Sequence, residues 1–322
     1  VKNIFQHRDQ LLFEPPDIDS IRRMEDAGAA AVVLYSLFEE QLVLDKYELH
    51  HHLTAGTESF AEALSYFPIE PSDESGLTHT DLKLIEQAAP VIDVPLIASL
   101  NGSDLGGWTH FAEQLEETGA SALELNIFLQ PTDRHRSAQE LEQEYADVVR
   151  RVAEAVKIPV SVKLPMRLTN VLAVADSLLA RGARSVVMFN RFFEPDIDVE
   201  RMTFVNGDPF SEPAELRNVL RSVALCTTAV PQLDVSVSTG VHDGEAAVKA
   251  LLCGANAVQI CSAIHEKGYG VIVDINRFID LWAERHGFES LAEFRGKMNY
   301  GNAESDVYQR VQYMKYFPHD AE

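Results

Sequence analysis

Four segments share one order of residues: a helix end, Gly-Ala, a short apolar run, then a small or polar residue. They span residues 27–36, 118–126, 181–190 and 253–262. The glycine predicts a helix C-cap, because it takes positive φ without a Cβ penalty and turns the chain back. The apolar run after it predicts a strand buried on both faces. A second set, residues 94–101, 158–164 and 233–240, also reads as strands. Pro95 and Pro159 stand at strand starts, where a missing N–H is tolerated. The two sets alternate along the chain, and with an N-terminal strand inside residues 3–13 they sum to eight.

Helical stretches separate them. Residues 19–27 follow a cap at Asp17 or Asp19 and place Ile21 and Met24 at helical spacing. Residues 80–89 come next, then 106–117, with Trp108, Phe111, Ala112 and Leu115 on one face. Residues 137–156 open with Ser137-x-x-Glu140, a capping-box pattern. Residues 169–180, 213–227, 244–252 and 270–285 complete the set. Such alternation predicts an α/β fold of parallel βαβ units. Eight units favour a (β/α)8 TIM barrel, with a doubly wound sheet as the alternative. The expected domain is a single barrel over residues 1–322, whose tail, 290–322, packs on the barrel or on a partner subunit. Long segments, 37–77 and 191–212, follow strands 2 and 6 on the rim where barrel active sites form.

Composition narrows the class. The 322 residues are 46% hydrophobic and 24% charged, as in an ordinary globular protein. No apolar run approaches the ~20 residues of a membrane span. A net charge of −23 repels phosphate backbones and anionic lipid, so neither nucleic acid nor membrane is an expected partner. Solubility is the plain reading of that charge, and a basic partner protein is the other. The N-terminus has no signal-peptide layout, and a start at Val1 implies residues before it. Three cysteines, Cys226, Cys253 and Cys261, form no CxxC and predict a reducing, cytoplasmic location with the thiols in the core.

Strand ends carry the candidate chemistry: Ser36, Asn101, Asn126, Lys163, Asn190, Thr239, Gly240, Cys261 and Ser262. Alternation aims Lys163 into the barrel mouth, where an unpaired lysine is costly. It is therefore a functional lysine or one paired with a neighbouring carboxylate. Three amides, Asn101, Asn126 and Asn190, suit a planar heterocycle with carbonyl and N–H groups, although asparagine also simply ends strands. Residues 238–242 and 261–264 match the barrel phosphate site, where backbone N–H groups hold an anion; ordinary tight turns are the alternative. His50-His51-His52 reads as a solvated helix end, since consecutive rings cannot share a helix face, and no metal site is expected. Asp133 and His135 are acid/base candidates inside a charged, solvated loop.

These residues resemble the flavin-dependent class 1 dihydroorotate dehydrogenase family, and within it a bacterial dihydroorotate dehydrogenase-like subgroup. The likeness runs from about Asp19 through nearly the whole chain. It is most specific at residues 22–29, 36–41, 56–63, 98–102, 124–127, 131–133, 189–192 and 195–198. The resemblance implies an FMN cofactor, oxidation of a CH–CH bond in a dihydroorotate-like heterocycle, a place in pyrimidine biosynthesis and a homodimer. By the same resemblance Lys163 contacts the flavin ring, Asn126 touches flavin and substrate, and Asn190 touches substrate. Gly240 and residues 261–263 are similar to the FMN phosphate loops.

Three places depart from the family pattern. The family's cysteine or serine base stands three residues after the strand-4 asparagine; here Leu129 does, flanked by Phe128 and Gln130. None of these takes a proton at ordinary pH. The first strand ends in bulky Gln6-His7-Arg8-Asp9 instead of small residues. A double glycine after strand 7 is replaced by Thr239-Gly240. An altered substrate follows, with its proton handled by Asp133, His135 or a long-loop group. Two other readings stay open: a catalytically silent barrel that binds FMN or a nucleotide-like ligand or serves as a complex subunit, and a flavin-free lyase or isomerase using Lys163 as a Schiff-base former.

Overall fold

The computed structural model describes residues 2–6, 17–38, 79–101, 105–129, 132–191, 195–206, 210–303 and 308. His50–His52, the 56–63 segment and the His7-Arg8-Asp9 end of the first strand lie outside them. Eight parallel strands close a barrel: β1 (Lys2–Gln6), β2 (Ala31–Phe38), β3 (Leu96–Asn101), β4 (Ala122–Asn126), β5 (Val160–Pro165), β6 (Ser185–Asn190), β9 (Asp234–Val237) and β10 (Ala257–Ile260). Pairing of β1 with both β10 and β2 closes the ring and rules out the doubly wound sheet. The remaining two, β7 (Pro195–Asp198) and β8 (Thr203–Asn206), form an antiparallel hairpin in the long connection after β6.

Local chemistry sets the helix ends. Asp17 caps α1 (Ile18–Asp26) by accepting from Ser20 N at 2.7 Å. After α2 (His79–Ala88) and α3 (Leu105–Glu117), α4 (Ala138–Ala155) carries the full Ser137–Glu140 capping box. Asn170 caps α5 (Val171–Ala180), so this helix starts later than its sequence pattern implied. Residues 213–215 form a tight 3-10 turn ahead of α6 (Leu216–Ala229), where one helix was expected. Then come α7 (Gly244–Leu252), capped by Asp243, α8 (Ser262–Lys267), α9 (Gly270–Arg285) and α10 (Leu291–Phe294). Gly28, Gly119, Gly182 and Gly254 end helices with φ between 92° and 106°, as the repeat requires.

The strands are buried on both faces, as their apolar runs predict, but the inward face also carries polar side chains. Gln259 on β10 hydrogen-bonds Glu124 on β4, and Asn190 on β6 hydrogen-bonds Asn126 on β4. Neither pair lies on neighbouring strands, so these bonds cross the barrel lumen. With a period of two, Leu123, Leu125, Val160, Val162, Val235 and Val258 then point outward, into the apolar layer under the helices. The main hydrophobic core therefore lies between sheet and helices, and the lumen mixes polar side chains with apolar ones such as Val33 and Val187.

Candidate active site

Side chains at the C-terminal strand ends form one chain of hydrogen bonds. Ser36 Oγ and Ser99 Oγ lie 2.7 Å apart. Asn126 donates from Nδ2 to Ser36 Oγ at 3.2 Å, and Asn190 donates from Nδ2 to Asn126 Oδ1 at 2.6 Å. All four residues are buried. This links β2, β3, β4 and β6 across the mouth. Asn101 ends β3, half-buried and in register with Phe38.

Two residues below Asn126 on β4 lies a buried ion pair. Lys163 Nζ stands 3.5 Å from Glu124 Oε1, with 4% and 1% of the side chains exposed. Gln259 Nε2 donates to Glu124 Oε2 at 2.7 Å. Among the described residues, Glu124 Oε1, Gln259 Oε1 and Ser236 Oγ have no hydrogen-bond partner. Buried polar atoms normally find partners, so the lumen floor is set up to hold further polar atoms, water or ligand. Lys163 thus has a carboxylate partner, and it also sits beside the amide chain in register with Asn126.

A second cluster gathers after β9 and β10. Gly240 N donates to Ser211 Oγ at 3.3 Å, and Ser211 Oγ donates to Ser262 Oγ at 3.2 Å. Ser211 N also donates to Ser262 Oγ, at 2.9 Å. His242 Nε2 lies 3.1 Å from Ser211 Oγ, and its Nδ1 lies 3.3 Å from Glu266 Oε2. The backbone here is tightly held. A Cβ on Gly240 would come within 2.4 Å of Leu216 N, at a φ of +78°. Thr239 takes φ +77° and donates its hydroxyl to Phe189 O at 3.1 Å. Cys261, just past β10, is the N-cap of α8.

The loop after β4 offers no acid or base at 127–129. Ile127 is buried, Phe128 is 41% exposed, and Leu129 N donates to Tyr145 Oη at 3.4 Å. Burial pushes the Tyr145 phenol above its ordinary range. Asp133 and His135 are exposed and bonded to each other locally, His135 N donating to Asp133 Oδ1 at 2.9 Å. Cys226 and Cys253 lie in the core, their thiols pushed up to about 11 by burial. Among the described residues no group of His, Cys, Asp and Glu could hold a metal, and no helix is long and apolar enough to cross a membrane.

Sequence reasoning missed Glu124, Gln259, Ser211 and Glu266. Strand alternation with Asn126 was the available signal for Glu124. The others are joined to the site only by folding, Gln259 to Glu124 across 135 residues.

Comparison with known proteins gives one consistent answer. The family model described as "Dihydroorotate dehydrogenase" matches residues 73–281. A putative dihydroorotate dehydrogenase A (fumarate) from Aeropyrum pernix is 31% identical, over 66% of this chain and 71% of that protein. The catalytic subunit of dihydroorotate dehydrogenase B (NAD(+)) from Methanothermobacter thermautotrophicus is 30% identical, over 67% and 71%. The NAD-dependent dihydropyrimidine dehydrogenase subunit PreA of Escherichia coli is 26% identical, over 64% and 54%.

Proposed function

Because the chain belongs to the dihydroorotate dehydrogenase family, we propose that it is an FMN-dependent oxidoreductase acting on a CH–CH bond of a dihydropyrimidine-like ring. The observation that carries this reading is the Ser36–Asn126–Asn190 hydrogen-bond chain with Lys163 alongside, all at one barrel mouth. Amides supply donors and acceptors that match ring carbonyl and N–H groups. Lys163 brings a positive charge suited to an electron-rich ring, and Glu124 holds that charge in place. Gly240 N, Ser211, Ser262 and His242 offer the donors that a phosphate monoester requires, on backbone that admits no Cβ at Gly240. Their chemistry fits FMN at both ends. When bound, FMN would supply hydride acceptance; the protein's part would be to hold the ring with Asn126 and Asn190 and to present the Lys163 charge to it.

The pairing of Lys163 with Glu124 removes support from the Schiff-base reading. Lys163 Nζ stands 3.5 Å from Glu124 Oε1 and is engaged with that carboxylate. The catalytically silent barrel keeps one specific support: Phe128 and Leu129 stand where a base would be needed. Oxidation of a substrate would then rely on a proton acceptor outside residues 127–129.

FMN titration of the purified protein tests the reading, followed by anaerobic mixing with dihydroorotate and with dihydrouracil. Bleaching of the flavin colour by either substrate supports the oxidoreductase. Binding of FMN without bleaching favours the silent barrel. A protein that takes up no FMN rejects the proposal.

A further inference from the structure

We propose that Gln259 is a positioning residue for the Lys163 charge: by holding one oxygen of Glu124, it keeps that carboxylate from closing on the ammonium. The inference rests on the flavin reading above. It adds to it a residue on β10, a strand that contributes nothing to the amide chain at the mouth.

The carboxylate is shared unequally. Gln259 Nε2 donates to Glu124 Oε2 at 2.7 Å, as short as a charge-assisted bond should be. Lys163 Nζ stands 3.5 Å from the other oxygen, Oε1, which has no hydrogen-bond partner among the described residues. The neutral amide, and not the ammonium, therefore fixes where the carboxylate points. All three side chains are buried. Charges reach further there than in water, so the separation of ammonium and carboxylate sets the field felt at the mouth.

The amide has one workable orientation. Its carbonyl would set acceptor against acceptor at a carboxylate, so Nε2 faces Glu124. Gln259 Oε1 is then left in the lumen without a hydrogen-bond partner among the described residues. An apolar side chain would fill the same space without that unpartnered oxygen. What glutamine adds at this place is the donor. In the closed ring β10 lies diametrically opposite β4, so Gln259 anchors Glu124 from the far wall of the lumen. Lys163 in turn stands in register with Asn126, the centre of the amide chain. Without Gln259 both carboxylate oxygens turn to Lys163, the ion pair tightens, and the positive charge at the mouth is offset more fully. A ring that has gained electrons there is then less stabilised.

The experiment measures the midpoint potential of bound FMN, by equilibration with a reference dye, in wild type, Gln259→Met, Glu124→Gln and the two combined. Methionine keeps the length of glutamine and removes the donor, while the ion pair and the strand pairing stay in place. The expected result in Gln259→Met is a potential lower by about 30 mV, a tenfold shift of the two-electron couple toward the oxidised form. On the Glu124→Gln background the same substitution should shift nothing, because its effect runs through the carboxylate. Should Glu124→Gln fail to fold, Lys163→Met with Glu124→Gln supplies the background, and again no shift is expected.

A role confined to packing would lower thermal stability or FMN affinity in Gln259→Met and leave the potential where it was. That outcome, or an equal shift on both backgrounds, overturns the inference while the flavin reading stands. A wild-type protein that takes up no FMN removes both.

Discussion

Lys163 Nζ and Glu124 Oε1 face each other at 3.5 Å inside the barrel, one on β5 and one on β4. Gln259 reaches across from β10 to the other carboxylate oxygen. Three strands are thus tied together by one buried charge. Removing a single partner leaves the other charged and dry, which costs about 3–5 kcal/mol. Lys163→Met should lower unfolding stability by that order in urea titration. Lys163→Met combined with Glu124→Gln should recover most of it, because the charge is then gone from both sides. A single variant within ~1 kcal/mol of wild type would mean the pair is solvated and not buried.

Gly240 is a steric requirement as well as a donor. Alanine there meets Leu216 N at 2.4 Å and must hold φ +78°. Left-handed strain alone costs about 1–3 kcal/mol, and the backbone overlap adds to it. Gly240→Ala should therefore lose more than ~2 kcal/mol, seen as a clear drop in midpoint on thermal or urea unfolding.

The core thiols give a pH signature. Burial raises Cys226 and Cys253 to about 11, whereas an unfolded thiol ionises near ~8.5. Between those values the unfolded chain releases protons that the folded chain keeps. Stability from these groups is full below the unfolded value and declines as pH rises toward 11. At pH near ~8 a thiol reagent should label neither cysteine in the native protein and both after unfolding. Rapid native labelling of either would contradict their burial.

Helix caps respond at the acid end. Hydrogen bonds from Ser20 lower the Asp17 carboxyl below its ordinary value. Its contribution is present above the ordinary carboxylate range and fades as pH falls through the lowered value. Asp17→Ala should remove that part of the acid dependence. Ser137→Ala, which breaks the α4 capping box, should cost about 1 kcal/mol by urea unfolding near neutral pH.

Much of the barrel was legible because its rules are local. Gly28, Gly119, Gly182 and Gly254 end helices by their own conformational freedom, and Ser137 caps α4 with a residue three positions away. Strand order follows once the helices are placed. Asn126, Lys163 and Asn190 were visible as polar residues closing apolar runs. The carboxylate that partners Lys163 was not. Glu124 sat within a run read as doubly buried, and only the closed lumen explains a carboxylate there. Ser211 lies at the end of a long connection, and nothing local predicts that it meets Gly240 and Ser262. The β7–β8 hairpin was likewise hidden in that connection, because its turn carries no Gly or Asn signature: residues 199–202 read Val-Glu-Arg-Met, with Met202 at φ +52°.

The alternation along β4 and β5 divides the protein for anyone who would redesign it. Leu123, Leu125, Val160 and Val162 face the helices and carry the apolar burial, so substitutions there tax folding. Ser99, Asn126, Ser161 and Ser236 face the lumen and carry little of it. A library confined to Ser99, Ser161 and Ser236, leaving Glu124, Asn126 and Lys163 in place, changes the lumen surface without touching the apolar layer under the helices. The two faces of each strand can thus be varied separately.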